Sequence, residues 1–542
     1  VLTTENKKGF YKRFLYEPYP VESNLHRYLH DPLLAEVVAG RVASIRDGVE
    51  LLNWSFLLRR LLMNPSWYGL RELSAGSVSA FCTDLVMRTL RELQEAQCVS
   101  VSTDSGCNAG PNSSYVTLDT EKITRGFDGA NESMHRLTLG ADIPRMRVEA
   151  TFFGTLCVKH SLSSASMREL CEAADLAARS VAKVGSVSAQ SSNADHFGRT
   201  QCRLFRAITD LSEIGTVCPL RTLDNAPLER LREKISTVLA NDERTLNALG
   251  VSKEQISSAA LAASSGGKAR LLLLSRASCS RLPMREHAVE LMQLVPRAVE
   301  ISDAMVAICA EKGALDVTMC AISLRRRLLA GLLPVTAPVD AASEQALHTS
   351  ELGMIPEWRA SLEVRDALEK LGASSVSAVQ ALSAQKLRAA LRDWTKSSSD
   401  VKSVLNSIAQ LPRAAIHDAK GVRLAVSVGA SGTRDGVPDG SGEGRQHTLC
   451  VSAIVRDARF GKTYSTEPAA FYVIVAKRAQ NRIVKLTTIC LNSEHAQSAL
   501  DISIDVGGVS DSERAGSAQN LDLIVASESC EGSDVSELIT VE

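Results

Sequence analysis

The residues Gly266-Gly267-Lys268 come closest in this sequence to a phosphate-binding loop. Such a loop needs Gly-x-x-x-x-Gly-Lys followed by Ser or Thr, because backbone amides surround the phosphates and the hydroxyl group binds Mg²⁺. Here Ala262 stands where the first glycine is required, and Ala269 follows the lysine. We therefore interpret this stretch as part of an ordinary helix.

Other residue types that could perform chemistry show no useful spacing. Asp242-Glu243 is not followed by the histidine of an Asp-Glu-x-His box, and no Ser/His/Asp or Cys/His arrangement can be argued from the sequence. The 13 cysteines and 10 histidines form no Cys-x-x-Cys pair and no zinc-type spacing. We predict no catalytic residue, no metal site and no cofactor-binding residue, and we expect reduced thiols, as in the cytosol or nucleus.

The composition is that of an ordinary globular protein with several domains. The 542 residues are 45% hydrophobic and 23% charged, and the net charge of −1 provides no overall attraction to nucleic acid. We find no apolar run long enough for a membrane span and no signal peptide, so no membrane partner is expected. The first residue is Val1 rather than Met, from which we expect a piece of a longer polypeptide.

The first domain is predicted to follow an unusual aromatic segment. The residues "KRFLYEPYPVES" combine aromatic side chains with Pro18 and Pro20, which predicts an extended strap over residues 1–22. Apolar residues at helical spacing then continue to about Gln97. The segments "CVSVS" (98–102) and "YVTL" (115–118) are typical of two strands. Helices followed by a two-stranded flap predict a winged helix over residues 23–120.

The rest of the chain is predicted to be helical first and then all β. Residues 145–335 have helical periodicity throughout, starting with a helix at 148–162, with a loop at 184–197 and a long helix at about 285–311 that Pro296 interrupts. Residues 350–412 resemble a helix-loop-helix module, with Trp358 and Trp394 in its core. Beyond Val422 the apolar residues recur at every second position. Seven short strands of this kind predict a β-sandwich over residues 421–542. The predicted fold class is multidomain, mainly α with a C-terminal all-β sandwich.

The opening residues carry a specific resemblance. "FYKRFLYEPYPVESNLHRYLHDPLLAEVVAG" and "LNWSFLLRRLLMNPSWYGL" resemble the region that follows the second RecA-like motor domain in superkiller-type superfamily-two RNA helicases. The resemblance is strongest to the carboxy-terminal cassette of the two-cassette helicase of the spliceosome, and the two-cassette helicase of a signal-cointegrator complex shares most of the pattern. The family order is winged helix, helical bundle, helix-loop-helix and immunoglobulin- or fibronectin-like sandwich, the last three forming the Sec-sixty-three homology unit. "TVCPLR", "GGKARLLLLSRASCSRL" and "AAFYVIVAKRAQNRIVKL" agree with this order more weakly.

The resemblance implies roles for particular residues. The segment containing Phe14, Tyr16 and Tyr19 would dock the winged helix on the motor. The long helix would be the ratchet helix, which contacts the single strand leaving an active motor. The residues that could contact a nucleic acid are Lys268, Arg270, Arg285 and Arg297, but this helix has no aromatic residue for base stacking, and Glu300 stands where a basic residue would be natural. Arg325-Arg326-Arg327 is interpreted as a surface or acidic-partner contact.

The function implied is a non-catalytic accessory and protein-interaction module of a nuclear spliceosomal RNA helicase. Its partners would be spliceosomal proteins and the parent motor domains, with weak RNA contact. The segment would carry no cofactor, whereas ATP and Mg²⁺ would bind the parent motor. The alternative is a strand-guiding part of an active RNA or DNA helicase cassette, as in the signal-cointegrator repair and ribosome-rescue helicase.

Overall fold

The structure is a computed structural model of the whole chain. It describes residues 2–16, 21–103, 146–184, 192–221, 224–238, 243–252, 254–255, 266–278, 287–332, 334, 351–355, 364, 367–368, 370–373, 375–392, 398–412, 414–426, 446–457, 469–491, 497–505, 520–530, 532 and 534–540. These residues form two units, Val1–Arg168 and Glu169–Glu542, which are described separately.

The first unit contains helices and one small antiparallel sheet. Its elements are α1 Glu5–Tyr16, α2 His30–Val38, α3 Ile45–Asn53, α4 Phe56–Met63, α5 Ala75–Glu95, β1 Val99–Thr103, β2 Met146–Ala150 and α6 Phe152–Lys159. Ser44, Ser55, Ser74 and Thr151 each begin a helix by accepting a backbone N–H bond. Leu33, Val49, Leu85 and Leu90 are among the buried residues where α2, α3 and α5 pack together.

The prediction of an extended strap is wrong for most of its length. Residues Glu5–Tyr16 form helix α1, and Pro18 and Pro20 come after it in the sequence. The sequence of α1 contains no proline, Glu5 lies in its first turn and Arg13 in its last, which is the favourable arrangement of charges along a helix. The side chains of Phe14 and Tyr16, and all of Tyr19, lie outside the described residues.

The boundary between winged helix and bundle also needs correction. The strand at 98–102 is confirmed as β1, but its partner is β2, paired from Val99↔Ala150 to Thr103↔Met146. The predicted strand at 115–118 lies outside the described residues. Residues 146–150 alternate between buried and exposed, so "MRVEA" is a strand rather than the start of a helix at 148. Residues 145–168 therefore belong to the first unit and not to the bundle.

The second unit begins with a helical bundle. Its helices are α7 Ser164–Val184, in which the division between the units falls, α8 Ser192–Asp210, α9 Ser212–Val217, α10 Asn225–Val238, α11 Glu243–Leu249, α12 Gly266–Ser278, α13 Ala288–Glu311 and α14 Leu315–Ala330. Residues 192–197 of the loop predicted at 184–197 instead belong to helix α8, which begins at Ser192. Helix α13 runs through Pro296 without a break, because Ala298, Ile301 and Met305 hold the following turns in the core.

A small helical module and a sandwich complete the second unit. The module contains α15 Val376–Ala381, α16 Ala384–Arg392 and α17 Ser398–Gln410 around Val364, Leu368 and Val404. Trp358 and Trp394 lie outside the described residues. Within the described residues beyond 412, seven strands follow, one for each predicted strand: β3 Ala414–Val426, β4 Gln446–Asp457, β5 Ala469–Lys477, β6 Arg482–Leu491, β7 Gln497–Asp505, β8 Asn520–Ser527 and β9 Val535–Thr540. The first of them starts at Ala414, before the predicted boundary at 421.

The strands form two antiparallel sheets, in the orders β3-β4-β7 and β6-β5-β8-β9. Both sheets contribute to one core, which includes Val455 of the first sheet and Phe471, Val473 and Leu523 of the second. The mainly helical fold class with a C-terminal β-sandwich is thus confirmed. Among the described residues, no helix is long and apolar enough to cross a lipid bilayer.

Candidate interaction surfaces and the buried cations

Glu22 holds the segment before α2 against α4 and the turn that follows α4. Its carboxylate accepts hydrogen bonds from Arg60 Nη2 at 2.7 Å and Arg60 Nε at 3.2 Å, from Asn64 Nδ2 at 3.0 Å and from the Tyr68 hydroxyl at 3.2 Å. The Tyr68 hydroxyl also accepts the Ser23 backbone N–H. Hydrogen bonds from Arg60 and then Asn64 lower the pKa of Glu22 to about 2. Glu22 and Ser23 therefore connect this part of the chain to α4 and to the turn that follows α4.

Large apolar side chains are exposed on that same part of the first unit. We define the aromatic surface as Trp54, Phe56, Met63 and Trp67, which lie just before α4, within it and in the 3-10 turn Pro65–Tyr68. Trp54 is 93% exposed and Trp67 60%, and Phe56 and Met63 are also more than half exposed. Tryptophan is enriched among the residues that dominate the affinity of protein interfaces, so this surface is suited to bind another protein.

Helix α1 is a second exposed element of the first unit. Residues 5–13 are exposed throughout, and the rings of Phe10 and Tyr11 contact each other edge to face at 5.5 Å. The helix has four cationic residues, Lys7, Lys8, Lys12 and Arg13, against the single acid Glu5. A 12-residue helix is marginal in water on its own, so α1 is suited to pack against a partner surface.

The predicted nucleic-acid contact Lys268 is instead buried inside the bundle. Its side chain has no exposure, and its Nζ donates to Asp224 Oδ2 at 2.7 Å, to Glu290 Oε1 at 2.9 Å and to the Pro219 carbonyl at 2.9 Å. Burial alone would raise the pKa values of both carboxyl groups, but bonding to Lys268 lowers them below their usual range. A nucleic acid cannot reach this ammonium group, so the prediction for Lys268 is wrong.

The other cations of α12 also point into the bundle. Arg270 is buried, pairs with Asp210 and donates from Nε to the Gly250 carbonyl at 3.1 Å. Arg276 donates from Nη1 to the Leu328 carbonyl at 2.7 Å, at the end of α14. These side chains connect α12 to α8, α14 and the turn at Gly250, so the prediction of a nucleic-acid contact at Arg270 is wrong as well.

The remaining predicted contacts do not form a cationic track either. Arg297 donates to Glu300 at 2.6 Å on α13, and its side chain is 16% exposed. Arg285 lies outside the described residues. The exposed face of the first half of α13 instead carries uncharged residues, among them Val289 and Met292. The structure does not bring Lys268, Arg270 and Arg297 together on one accessible surface.

The arginine triplet joins the bundle to the sandwich. Arg325 pairs with Asp303 of α13 and donates to the Glu528 side chain at 2.7 Å. Arg326, which is 1% exposed, donates to the Ser527 carbonyl at 2.6 Å and with both terminal nitrogens to Asp534, at 2.7 and 3.0 Å. We call Arg325, Arg326, Glu528 and Asp534 the arginine clasp. Of the two interpretations of the triplet, a surface contact is wrong because both arginines are buried, whereas acidic groups do bind them, from the same chain.

A hairpin of the sandwich makes a second connection. Asn481 lies between β5 and β6, and its side-chain oxygen accepts the backbone N–H of Asp316 at 2.9 Å, at the start of α14. Its backbone carbonyl accepts the Leu315 N–H at 3.2 Å, and the Ile483 N–H donates to the Gly313 carbonyl at 2.8 Å. A residue of the sandwich thus caps a helix of the bundle, which orients one part relative to the other.

Sequence reasoning missed Glu22, the aromatic surface and the clasp as working features. "PVES" was used only as a motif, and nothing beside it in the sequence indicated that Arg60 and Asn64, 38 and 42 residues further along the chain, would bond to Glu22. The triplet was recognised as cationic, but nothing near it in the sequence indicated burial, because its acidic partners Glu528 and Asp534 lie about 200 residues away.

Comparisons with known proteins agree with the resemblance over the first unit. Residues 22–103 match the family model described as a Winged Helix-turn-helix domain. The chain is 43% identical over 105 residues to DExH-box ATP-dependent RNA helicase DExH14 of Arabidopsis thaliana and to Activating signal cointegrator 1 complex subunit 3 of Bos taurus, in each case 19% of this chain and 5% of the other. It is 42% identical over 110 residues to Pre-mRNA-splicing factor brr2 of Schizosaccharomyces pombe, 20% of this chain and 5% of that protein.

The matched stretch is therefore about a twentieth of the length of these relatives. Among solved structures, the Pseudomonas fluorescens alkylpurine DNA glycosylase AlkC, bound to DNA with an abasic site analog, aligns with 59% of this chain and 98% of its own, at 13% identity. Its TM-score of 0.14 is too low to carry an argument. The prediction of a relative of superkiller-type helicases is confirmed by the winged-helix region.

Proposed function

We propose that this chain, a helicase relative with a helicase-associated winged-helix domain at residues 22–103, is a non-catalytic accessory module that binds proteins. The partners we propose are the RecA-like motor domains of the parent helicase and proteins of the spliceosome, with the nucleus as the place of action. We further propose that ATP and Mg²⁺ bind the parent motor and that the sandwich is immunoglobulin-like. Pre-mRNA splicing is the process that the resemblance to the splicing factor favours.

The observation that carries this proposal is the aromatic surface. Trp54, Phe56, Met63 and Trp67 are exposed, whereas Leu57 and Leu61 of α4 are buried. Exposed tryptophans beside Glu22 and its hydrogen-bonded partners favour a protein partner. Helix α1 extends this argument, because its cationic and aromatic residues would pair with a partner surface that is apolar and acidic.

The burial of the bundle cations favours protein binding over strand guidance. Phosphate contacts require accessible Lys or Arg side chains, and non-specific binding of single strands also uses stacking aromatics. In the described part of the bundle, Lys268 and Arg270 are enclosed with carboxylates and Arg297 is paired with Glu300. We therefore rank the strand-guiding alternative second.

Binding of the motor can be tested with variants of the aromatic surface. The chain would be titrated against the RecA-like motor domains of the parent helicase, expressed as a separate polypeptide, in an isothermal calorimeter. We expect Trp54→Ala with Trp67→Ala to weaken binding at least tenfold, since each large exposed anchor contributes more than about 1 kcal/mol. Leu538→Ala, at an exposed leucine of the sandwich, is the matched control and should bind as the unmodified chain does. Equal affinities for all three proteins would refute the proposal.

A separate assay addresses nucleic acid and nucleotide. We expect no ATP hydrolysis by the isolated chain, and binding of a labelled single-stranded oligouridine that is weaker than about 10 μM at 150 mM salt, in the non-specific range. Submicromolar RNA binding that Arg297→Glu abolishes would instead support the strand-guiding alternative.

A further inference from the structure

Two buried thiols lie side by side in the first unit. Cys98 stands just before β1 and Cys157 lies in α6, 59 positions further along the chain, and their sulfur atoms are 3.7 Å apart. Neither residue is exposed to solvent. The Cys98 sulfur also lies 3.5 Å from the Ala96 carbonyl and the Cys157 sulfur 3.9 Å from the Ser163 carbonyl, but a thiol is only a weak donor to such groups. The two thiols are therefore placed to react with each other.

The backbone around this pair brings the two cysteines together. The Cys98 N–H donates to the Leu93 carbonyl at 2.9 Å, near the end of α5, and the Cys98 carbonyl accepts the Thr151 N–H at 3.1 Å, directly before α6. Gly154 lies three residues before Cys157 on the same face of α6, and its lack of a side chain allows that face to approach the Cys98 carbonyl oxygen. The helix therefore turns Cys157 toward the start of β1.

Helix α6 is the element that could admit a small oxidant to the pair. It has only eight residues, and Phe152 and Val158 leave part of its surface exposed. A helix of this length depends on its packing, and local opening of such an element costs less than unfolding of the whole unit. Separation of α6 from β1 would uncover both sulfur atoms while the rest of the first unit stays folded.

We propose that Cys98 and Cys157 form a reversible disulfide when the protein meets a peroxide, and that this bond locks α6 to the start of β1. Hydrogen peroxide converts one thiolate into a sulfenic acid and releases hydroxide. The other thiolate attacks that sulfur, the S–S bond forms and a second hydroxide leaves. The two hydroxides take up the two thiol protons, so two thiols and one peroxide give one disulfide and two waters. Thiol reductants reverse the reaction by exchange.

The bond requires only a limited movement of the pair. An S–S bond is about 2.0 Å long, so the sulfur atoms must approach by about 1.7 Å from their separation of 3.7 Å. The cross-link would join positions 59 apart, which restricts the unfolded chain and so stabilises the folded first unit. The inference goes beyond the proposed function, because it assigns two redox states to the first unit and requires no partner protein.

Peptide mapping of the oxidised protein is the direct test. The full chain would be reduced, freed of reductant, treated with hydrogen peroxide, alkylated with N-ethylmaleimide in denaturant and digested with trypsin. We expect mass spectrometry to find peptide 92–122, which contains Cys98, joined to peptide 148–159, which contains Cys157, with the loss of two hydrogen atoms. Dithiothreitol should separate the two peptides. Absence of the linked peptides after peroxide treatment would overturn the inference.

Variants identify the cysteines that react, because Cys107 is in the same tryptic peptide as Cys98. Cys98→Ala and Cys157→Ala should each abolish the link, and one of them suffices if the other fails to fold. Cys107→Ala is the matched control and should form the link as the unmodified chain does. A link that persists in Cys98→Ala or Cys157→Ala, or that Cys107→Ala abolishes, would contradict the assignment.

Calorimetry measures the consequence of the bond for the first unit. Peroxide should raise its melting temperature by at least about 5 °C in the unmodified chain and in Cys107→Ala, because a disulfide typically stabilises a domain of this size by a few kcal/mol. It should not do so in Cys98→Ala. A link that forms without raising the melting temperature would show that the bond is no lock. None of these results depends on motor binding, so they test the inference separately from the proposed function.

Discussion

At the scale of single residues, the charged side chains of this protein act mainly by holding its parts together. Lys268 lies between Asp224 and Glu290 without access to water, and Glu22 collects four hydrogen bonds from Arg60, Asn64 and Tyr68. Removing one member of a buried, paired set leaves the others desolvated and unpaired, which costs more than the pair itself contributes. These residues are therefore structural, although their types alone suggest ligand binding.

Glu22 makes stability of the first unit depend on pH. Its pKa is lowered to about 2 in the folded protein, so the unfolded chain binds the proton more tightly, and the contribution of Glu22 is complete above about pH 5 and is lost as pH falls toward 2. We expect Glu22→Gln to lower the melting temperature at pH 7. Between pH 5 and pH 2.5, the melting temperature of this variant should fall less than that of the unmodified chain. Differential scanning calorimetry of the full chain would measure both.

Glu50→Gln is the control for this experiment. Glu50 is exposed and paired only with the exposed Arg46, at 3.4 Å, so its replacement should leave the pH dependence unchanged. Parallel pH profiles for Glu22→Gln and the unmodified chain would contradict the anchoring role of Glu22.

At the scale of elements, the first unit depends on a close contact between α6 and the start of β1. Thr151 caps α6, and its hydroxyl donates to the Gln97 carbonyl at 2.5 Å. The helix therefore begins directly against Gln97 and Cys98, the residues just before β1. A Cβ at Gly154 would collide with the Cys98 backbone carbonyl oxygen. Glycine at this position allows α6 to lie against the backbone.

We expect Gly154→Ala to destabilise the first unit by about 1–3 kcal/mol, because the collision is with backbone and cannot be relieved by a side-chain rotation. Gly76→Ala is the matched control: it lies in the first turn of α5, its nearest contact would be Ser74 Oγ at 3.9 Å, and it should stabilise the protein slightly. Urea unfolding followed by circular dichroism would measure both. A Gly154→Ala protein as stable as Gly76→Ala would show that α6 does not need this contact.

At the scale of the whole molecule, the second unit is unified by contacts between bundle and sandwich. The clasp and the Asn481 cap bind α14 at both of its ends to the sandwich: Asn481 at its start, and Arg325 and Arg326 near its end. Leu332, Met354, Val376 and Cys530 form an apolar cluster beside the clasp. The bundle, the helical module and the sandwich therefore share this joint.

We expect Arg326→Met to weaken this joint by about 2–4 kcal/mol, less than the most severe loss of a buried pair because Asp534 retains some contact with water. Methionine preserves most of the packing, so the effect reports the lost hydrogen bonds. Digestion with chymotrypsin should release the sandwich faster from this variant than from the unmodified chain. Arg297→Met, which removes the partly exposed pair with Glu300 on α13, should be digested at the unmodified rate, and equal rates for all three would contradict the clasp.

The sequence alone determined most of the elements and their order, but not helix α1 or strand β2. The seven strands, the long helix over 288–311 and the helix of 75–95 follow from apolar spacing, capping residues and turn residues, which act between neighbours along the chain. Local patterns also led to errors where they were ambiguous, as at Met146–Ala150, a short strand that continues directly into a helix. Tertiary structure decided the role of each charge, because Arg326 meets Asp534 208 residues away and Lys268 meets Asp224 44 residues away. Whether an arginine faces water or a carboxylate depends on which distant segments pack beside it, and only the folded chain brings those segments together.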